Sequence, residues 1–193
     1  MSKAHLKQDY DGAATGTQDY GVVTEPGTLR LERLLPGPIE RIWSYLTDSE
    51  LRGRWLATGA MEPRVGGRVD LHFEHVQLSE LTEDVPSKCH GQEVCDFAGR
   101  VVRWEPPRVL AYTWGESRGG DSEVTCELTP RGKDVFMVLT HRGLVSRDDM
   151  TGVAAGWHAH IGILIDHLAG RAPQGFWAVH TLLEAEYQRR LPR

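Results

Sequence analysis

The chain has 193 residues, 40% of them hydrophobic and 25% charged, with a net charge of −5. That length supports one domain with a sizeable core, and the composition is that of a soluble globular protein. The acidic balance argues against a nucleic-acid surface and no apolar run approaches the ~20 residues that span a bilayer, so neither nucleic acid nor membrane is an expected partner.

Residues 1–26 are polar and rich in Gly, Thr and Asp, so a flexible N-terminal arm is expected. The start MSKAHLKQDYDG lacks the apolar core of a signal peptide, which points to the cytoplasm. From Gly27, TLRLERLL alternates Leu29, Leu31 and Arg33 against Arg30, Glu32 and Leu34, a first strand. Pro36-Gly37-Pro38 ends it, and Pro38 suits the first turn of a short helix faced by Ile39, Ile42, Trp43 and Leu46. Asp48 or Ser49 is placed to cap a second short helix through Leu51 and Trp55.

Gly66-Gly67 opens the strand RVDLHFEHV, with Val69, Leu71, Phe73 and His75 on one side. Residues 77–91 are acidic and irregular and read as a long loop. GRVVRWE (99–105), a Pro106-Pro107 turn and RVLAYTWG (108–115) make a hairpin. SEVTCELTP (122–130) follows a Gly119-Gly120 turn, and KDVFMVLTHRG (133–143) is the last strand. Hairpins in series without intervening helices give an antiparallel meander.

The stretch TGVAAGWHAHIGILIDHLAG (151–170) is a long helix. Val153, Trp157, Ile161, Leu164, Ile165 and Leu168 form one broad apolar stripe, Ile163 faces away from it, and Asp166 lies opposite. His160 and His167 share one edge of the stripe and His158 lies on the other. Pro173 breaks the chain, and FWAVHTLLEAEYQRRL is a terminal helix with Trp177, Leu182, Leu183 and Tyr187 available to dock.

Several of these stretches resemble the START-like (SRPBCC) helix-grip proteins of the AHSA type, named for homologues of the heat-shock chaperone ATPase activator. The matching pieces are RLLPGPIERIWSYLTDSELRGRWL, Gly66-Gly67, GRVVRWEPPRVLAYTW, LTHRGL and Gly156-Trp157. The resemblance implies an α+β helix-grip fold: a curved antiparallel sheet, an incomplete barrel, wrapped around a long C-terminal helix. Two short helices follow the first strand and an extra terminal helix follows the long one. It places the helix-grip domain over 27–170 and a C-terminal helical extension over 171–193. The 77–91 loop and the helix beyond Pro173 depart from the family pattern and would change a cavity mouth or support a dimer. The family includes ligand carriers, cyclase-like enzymes and chaperone regulators with no common catalytic set, so fold does not settle function.

The histidines His72, His75, His141, His158, His160, His167 and His180 are a rich supply within the folded part. His75, His141 and one helix histidine converging in a cavity would suit acid–base work or a metal. Satisfied imidazoles at the edge of a core are the commoner outcome. Cys89, His90 and Cys95 lack the paired spacing of structural zinc sites, and Cys126 alternates with Val124 and Leu128 as a small core residue. Arg103 and Glu105 belong on a solvated outer face. Six tryptophans supply large apolar walls with one donor each, which suits a flat ligand.

The expectation is therefore a small hydrophobic or aromatic molecule held between the long helix and the sheet. Its contacts are expected from Trp55, Phe73, His75, Trp114, His141, Trp157, His160, Ile161 and Leu164, without metal or cofactor. A chaperone ATPase-regulating or other protein-interaction role, with a chaperone or a second copy of the chain as partner, is the alternative, in keeping with a stress-response family name. A cyclase- or hydrolase-like cavity enzyme is the third.

Overall fold

Leu29, Leu31 and Leu35 alternate inward along the first long strand, and the rest of the sheet follows the same rule. The computed structural model describes residues 20–87, 94–115 and 122–192. Its strands are β1 (Val22–Glu25), β2 (Thr28–Pro36), β3 (Arg68–Glu74), β4 (Val94–Glu105), β5 (Val109–Trp114), β6 (Ser122–Arg131) and β7 (Asp134–Arg142). The helices are α1 (Ile39–Thr47), α2 (Ser49–Gly53), α3 (Arg147–Leu168) and α4 (Phe176–Arg190). The strands form one curved, unclosed antiparallel sheet in the order β1-β2-β7-β6-β5-β4-β3, with α3 packed on its concave face.

The strand β4 changes partner along its length, pairing with β3 through residues 94–100 and with β5 through 101–105, with a register shift of the kind that bends a strand between Val101 and Arg103. Gly99 permits it: a Cβ there would lie 2.0 Å from the Thr113 carbonyl oxygen. The free edge of β3 is partly covered by bridges from Thr58 to His72 and from Met61 to Val69. Arg103 and Glu105 form an ion pair on the exposed outer face.

Asp48 caps α2, its Oδ1 accepting from Leu51 N at 2.9 Å. Pro38 is the N-cap of α1, so that helix starts at Ile39. The long helix starts four residues before Thr151. Ser146 and Asp149 form a reciprocal capping box there, a Ser-x-x-Asp signal that apolar periodicity alone passes over. The histidine edges agree with the spacing. His160 and His167 both bond to the turn after α2, at the carbonyls of Trp55 and Arg54, while His158 meets α4 on the other side.

Three readings need correction. The arm expected over 1–26 contains β1, whose Val22 and Val23 pair with Arg30 and Leu29; a strand partner within reach overrides weak local propensity. The strand at 68–76 ends at Glu74, and His75 begins a 3-10 turn, so its place in the alternation does not hold. The strand expected from Gly99 starts at Val94, because β3 supplies a partner for the preceding residues. The face of α3 carrying Ile163 is covered by α4 and buried. Residues 1–19, Cys89, His90 and the Gly119-Gly120 turn lie outside the described residues. No helix among those described is long and apolar enough to cross a membrane.

Candidate functional site

A buried row crosses the sheet through Leu29, His141, Val124, Tyr112 and Val101, each paired with the next or sharing its level on adjacent strands. His141 therefore lies mid-sheet on the concave side, facing α3. Trp157, on α3, donates its Nε1–H to His141 Nδ1 at 3.0 Å. An indole can only donate, so Nδ1 must carry a lone pair and the proton of the neutral ring resides on Nε2. Burial pushes the imidazole pKa down to about 4, so the ring is neutral at pH 7. Its Nε2–H is buried and meets no acceptor among the described residues. Trp114, at the end of β5, completes this group, with ring centroids 5.2 Å from Trp157 and 5.6 Å from His141.

A second group surrounds His160, one turn along α3. Its Nδ1 lies 2.6 Å from the Trp55 carbonyl oxygen, which can only accept; Nδ1 is thus the protonated nitrogen and Nε2 carries the lone pair. Burial first, then the neighbouring His75, holds the pKa of His160 well below the usual imidazole range. Buried Arg52 shapes the turn that presents this carbonyl, donating to the carbonyls of Thr47, Ala57 and Gly59. The Trp55 indole is itself fixed by donating to the Tyr45 carbonyl at 2.8 Å. Around His160 stand His75 at 5.4 Å and Phe176 at 4.6 Å between centroids. Phe176 also stacks on His75 at 4.2 Å, and Trp177 lies 5.0 Å from His75.

Phe73 joins the two groups into one aromatic seam. Its ring is 5.8 Å from Trp114 and 5.5 Å from Phe97 on one side, and 5.6 Å from His75 and 6.0 Å from His160 on the other. The structure thus brings together Phe73, His75, Trp114, His141, Trp157 and His160. Trp55 reaches the seam through its carbonyl, whereas Ile161 and Leu164 are core residues with 0% exposure. His141 stands with the tryptophans and not beside His75. No group of three or more His, Cys, Asp or Glu among the described residues is placed to hold a metal.

The residues missed from the sequence are Phe176, which faces both imidazoles, and Phe97. The terminal helix is read there as docking through Trp177, Leu182, Leu183 and Tyr187, yet Leu182 is 54% exposed and Phe176 is buried. A pair of adjacent aromatics opening a helix after Pro173 is the signal that marks them. The seam is filled by the chain's own rings. Among the described residues, a cleft of about 40 Å³ between α3 and α4 is lined by Ile163, Gln174, Phe176 and Val179, so it borders the seam at Phe176, and another of about 250 Å³ lies at Val23, Leu144, Met150 and Leu191. None of the nine residues expected to touch a ligand lines either.

A family model described as Activator of Hsp90 ATPase homolog 1-like protein matches residues 36–169, which takes in the sheet from the end of β2 to β7 and all of α3. A solution structure of a Bordetella parapertussis protein is 42% identical, with a TM-score of 0.74, over 90% of this chain and 91% of that one. CalU16 from Micromonospora echinospora is similar at 21% identity and a TM-score of 0.62, over 84% of this chain and 86% of that one. A Rhodobacter sphaeroides protein is similar at 20% identity and a TM-score of 0.58, over 78% and 97% respectively. The last two likenesses speak to fold alone. No curated protein matches the chain.

Proposed function

Because the chain belongs to the Activator of Hsp90 ATPase homolog 1-like family, whose fold sets a long helix against a concave sheet, we propose that it binds a small planar apolar molecule in the aromatic seam beneath α3. The ligand carries a hydrogen-bond acceptor directed at His141. The observation that carries this reading is the His141 Nε2–H. It is a donor whose position is forced by the Trp157 bond, buried at 1% exposure, with nothing among the described residues to receive it. Leaving a buried donor unpaired costs about 1–3 kcal/mol, so a polar atom without an internal partner marks a place for a bound one. Trp114 and Trp157 offer flat faces beside it, and Trp114 is only partly buried.

The test compares two probes of the same shape. In 2-acetylnaphthalene a carbonyl oxygen stands where 2-isopropenylnaphthalene has a methylene. Titrated against intrinsic tryptophan fluorescence, the ketone should bind about tenfold more tightly, the worth of one hydrogen bond. That preference should vanish in His141→Phe. Failure of both probes to bind, or a preference that survives in His141→Phe, would remove this reading.

A further inference from the structure

The long loop after β3 and the terminal helix, which lies beyond the residues matched by the family, are joined by one side chain. Glu83 of the loop accepts from the backbone N–H groups of Trp177 at 3.2 Å and Ala178 at 2.9 Å, in the first turn of α4. The N-cap of that helix is Gly175, which offers no side chain of its own. A carboxylate from elsewhere in the fold therefore satisfies the exposed donors and meets the positive end of the helix dipole. Gly175 is what lets it approach: a Cβ at that position would lie 2.1 Å from the Glu83 carboxyl carbon.

The turn held in this way is the one that fills the outer half of the seam. Phe176 packs on both imidazoles, stacked on His75 at 28° and tilted on His160 at 37°, as the ring of a bound aromatic molecule would. It is not a fully satisfied piece of core. Trp177 Nε1–H and Gln174 Oε1, both on the same short segment, are buried with no hydrogen-bond partner among the described residues. Both would gain water on leaving, which offsets part of the apolar burial lost. The segment follows a turn at Gly170, whose φ of +68° is the left-handed conformation glycine adopts without strain.

We infer that the first turn of α4 is a displaceable plug: Phe176 and Trp177 occupy a ligand subsite between His75 and His160, and the Glu83 contact latches them there. This rests on the reading of the seam as a ligand site and adds its regulation. A closed majority state lowers apparent affinity by the fraction of molecules that are open, so weakening the latch tightens binding without touching the inner donor at His141.

The latch is reached from both sides. Glu83→Gln removes the charge and keeps the shape. Gly175→Ala leaves a backbone that alanine adopts readily, at φ −65°, but pushes the carboxylate away. Phe176→Ala empties the subsite itself. With 2-acetylnaphthalene as probe, each variant of the full chain should bind about 3- to 30-fold more tightly than the unmodified protein. In the two latch variants, amide hydrogen exchange should quicken over residues 176–180 while the α3 amides at 157–164 stay protected; this separates release of the plug from loosening of the whole fold. Unchanged or weaker binding in Glu83→Gln and Gly175→Ala, with binding by the unmodified chain intact, overturns the plug alone. No binding by any of the four proteins overturns the seam reading and the plug together.

Discussion

Trp157 and Ile161 stand one turn apart on α3, both almost wholly buried, yet only one has a polar partner. Ile161→Ala removes packing alone and should cost about 2–5 kcal/mol. Trp157→Ala should cost about 3–5 kcal/mol and also strip His141 of the donor that orients it. Trp157→Phe keeps most of the ring and deletes the N–H, leaving a buried nitrogen unpaired at about 1–3 kcal/mol. Urea unfolding reads the stabilities, and 2-acetylnaphthalene titration reads the site. Ile161→Ala should lose stability with its binding unchanged, whereas both Trp157 variants should lose binding as well. Equal, purely destabilising effects at the two positions would make Trp157 an ordinary core residue.

Three elements converge on one hydroxyl at the far side of α3. The Gly21 N–H, just ahead of β1, donates to Tyr187 Oη of α4 at 2.7 Å, and the same hydroxyl is hydrogen-bonded to His158 Nδ1 of α3 at 3.0 Å. The Tyr20 ring packs edge-on against both His158 and Tyr187, and Arg190 lies over its face at 3.8 Å. Arg147, at the start of α3, donates to the carbonyls of Gln188 and Pro192 at the end of α4. The terminal helix is thus tied at both ends, by Glu83 at its start and by Arg147 and Tyr187 toward its end. Tyr187→Phe leaves the packing volume intact but strands the Gly21 N–H and the His158 nitrogen. It should cost about 1–3 kcal/mol, with exchange of the Gly21 amide quickening well before that of the β6–β7 ladder. Equal exchange in variant and unmodified protein would mean that β1 is held by its ladder to β2 alone.

For the molecule as a whole, the buried imidazoles decide the response to acid. Burial lowers His141 to about 4; burial, with Arg33 nearby, lowers His158 to about 3; His160 is held well below its ordinary value by burial and then by His75. Unfolded, each titrates near 6.5. Above that pH the rings are neutral in both states and their contribution is fully present. As pH falls below 6.5 the unfolded chain takes up protons that the folded one refuses, and stability is lost until the folded values are reached. His141 and His158 each withdraw about 1.4 kcal/mol per pH unit, about 3 kcal/mol per unit together, and His160 adds to the loss in the same direction. Against a typical total of about 5–15 kcal/mol, a domain at the low end of that range should unfold between about pH 5.5 and 4, and a more stable one should lose much of its margin there. Urea midpoints at stepped pH check this, and a midpoint constant from pH 7.5 to 5 would show the rings to be solvated.

Periodicity makes the architecture legible in the amino-acid sequence itself. The inward leucines of β2, the stripe on α3 and the edges assigned to His158, His160 and His167 follow from spacings of two and 3.6 residues, which are properties of the local backbone. The same periodicity put Phe73 and Trp157 on inward positions and His160 at the edge of the helix stripe. It could not say what fills the space they enclose. That was decided by contacts between distant residues: His160 with the Trp55 carbonyl across 105 positions, Glu83 with Ala178 across 95, and Gly21 with Tyr187 across 166. A hydrophobic pattern states which side of an element is buried and is silent about the partner. A buried polar group depends wholly on the partner, since its cost changes sign with whether a hydrogen bond is made. The tautomer of His141, the burial of Arg52 and the seating of Phe176 between two imidazoles are therefore tertiary facts, set by docking of α3 and α4 and written in no local stretch of the chain.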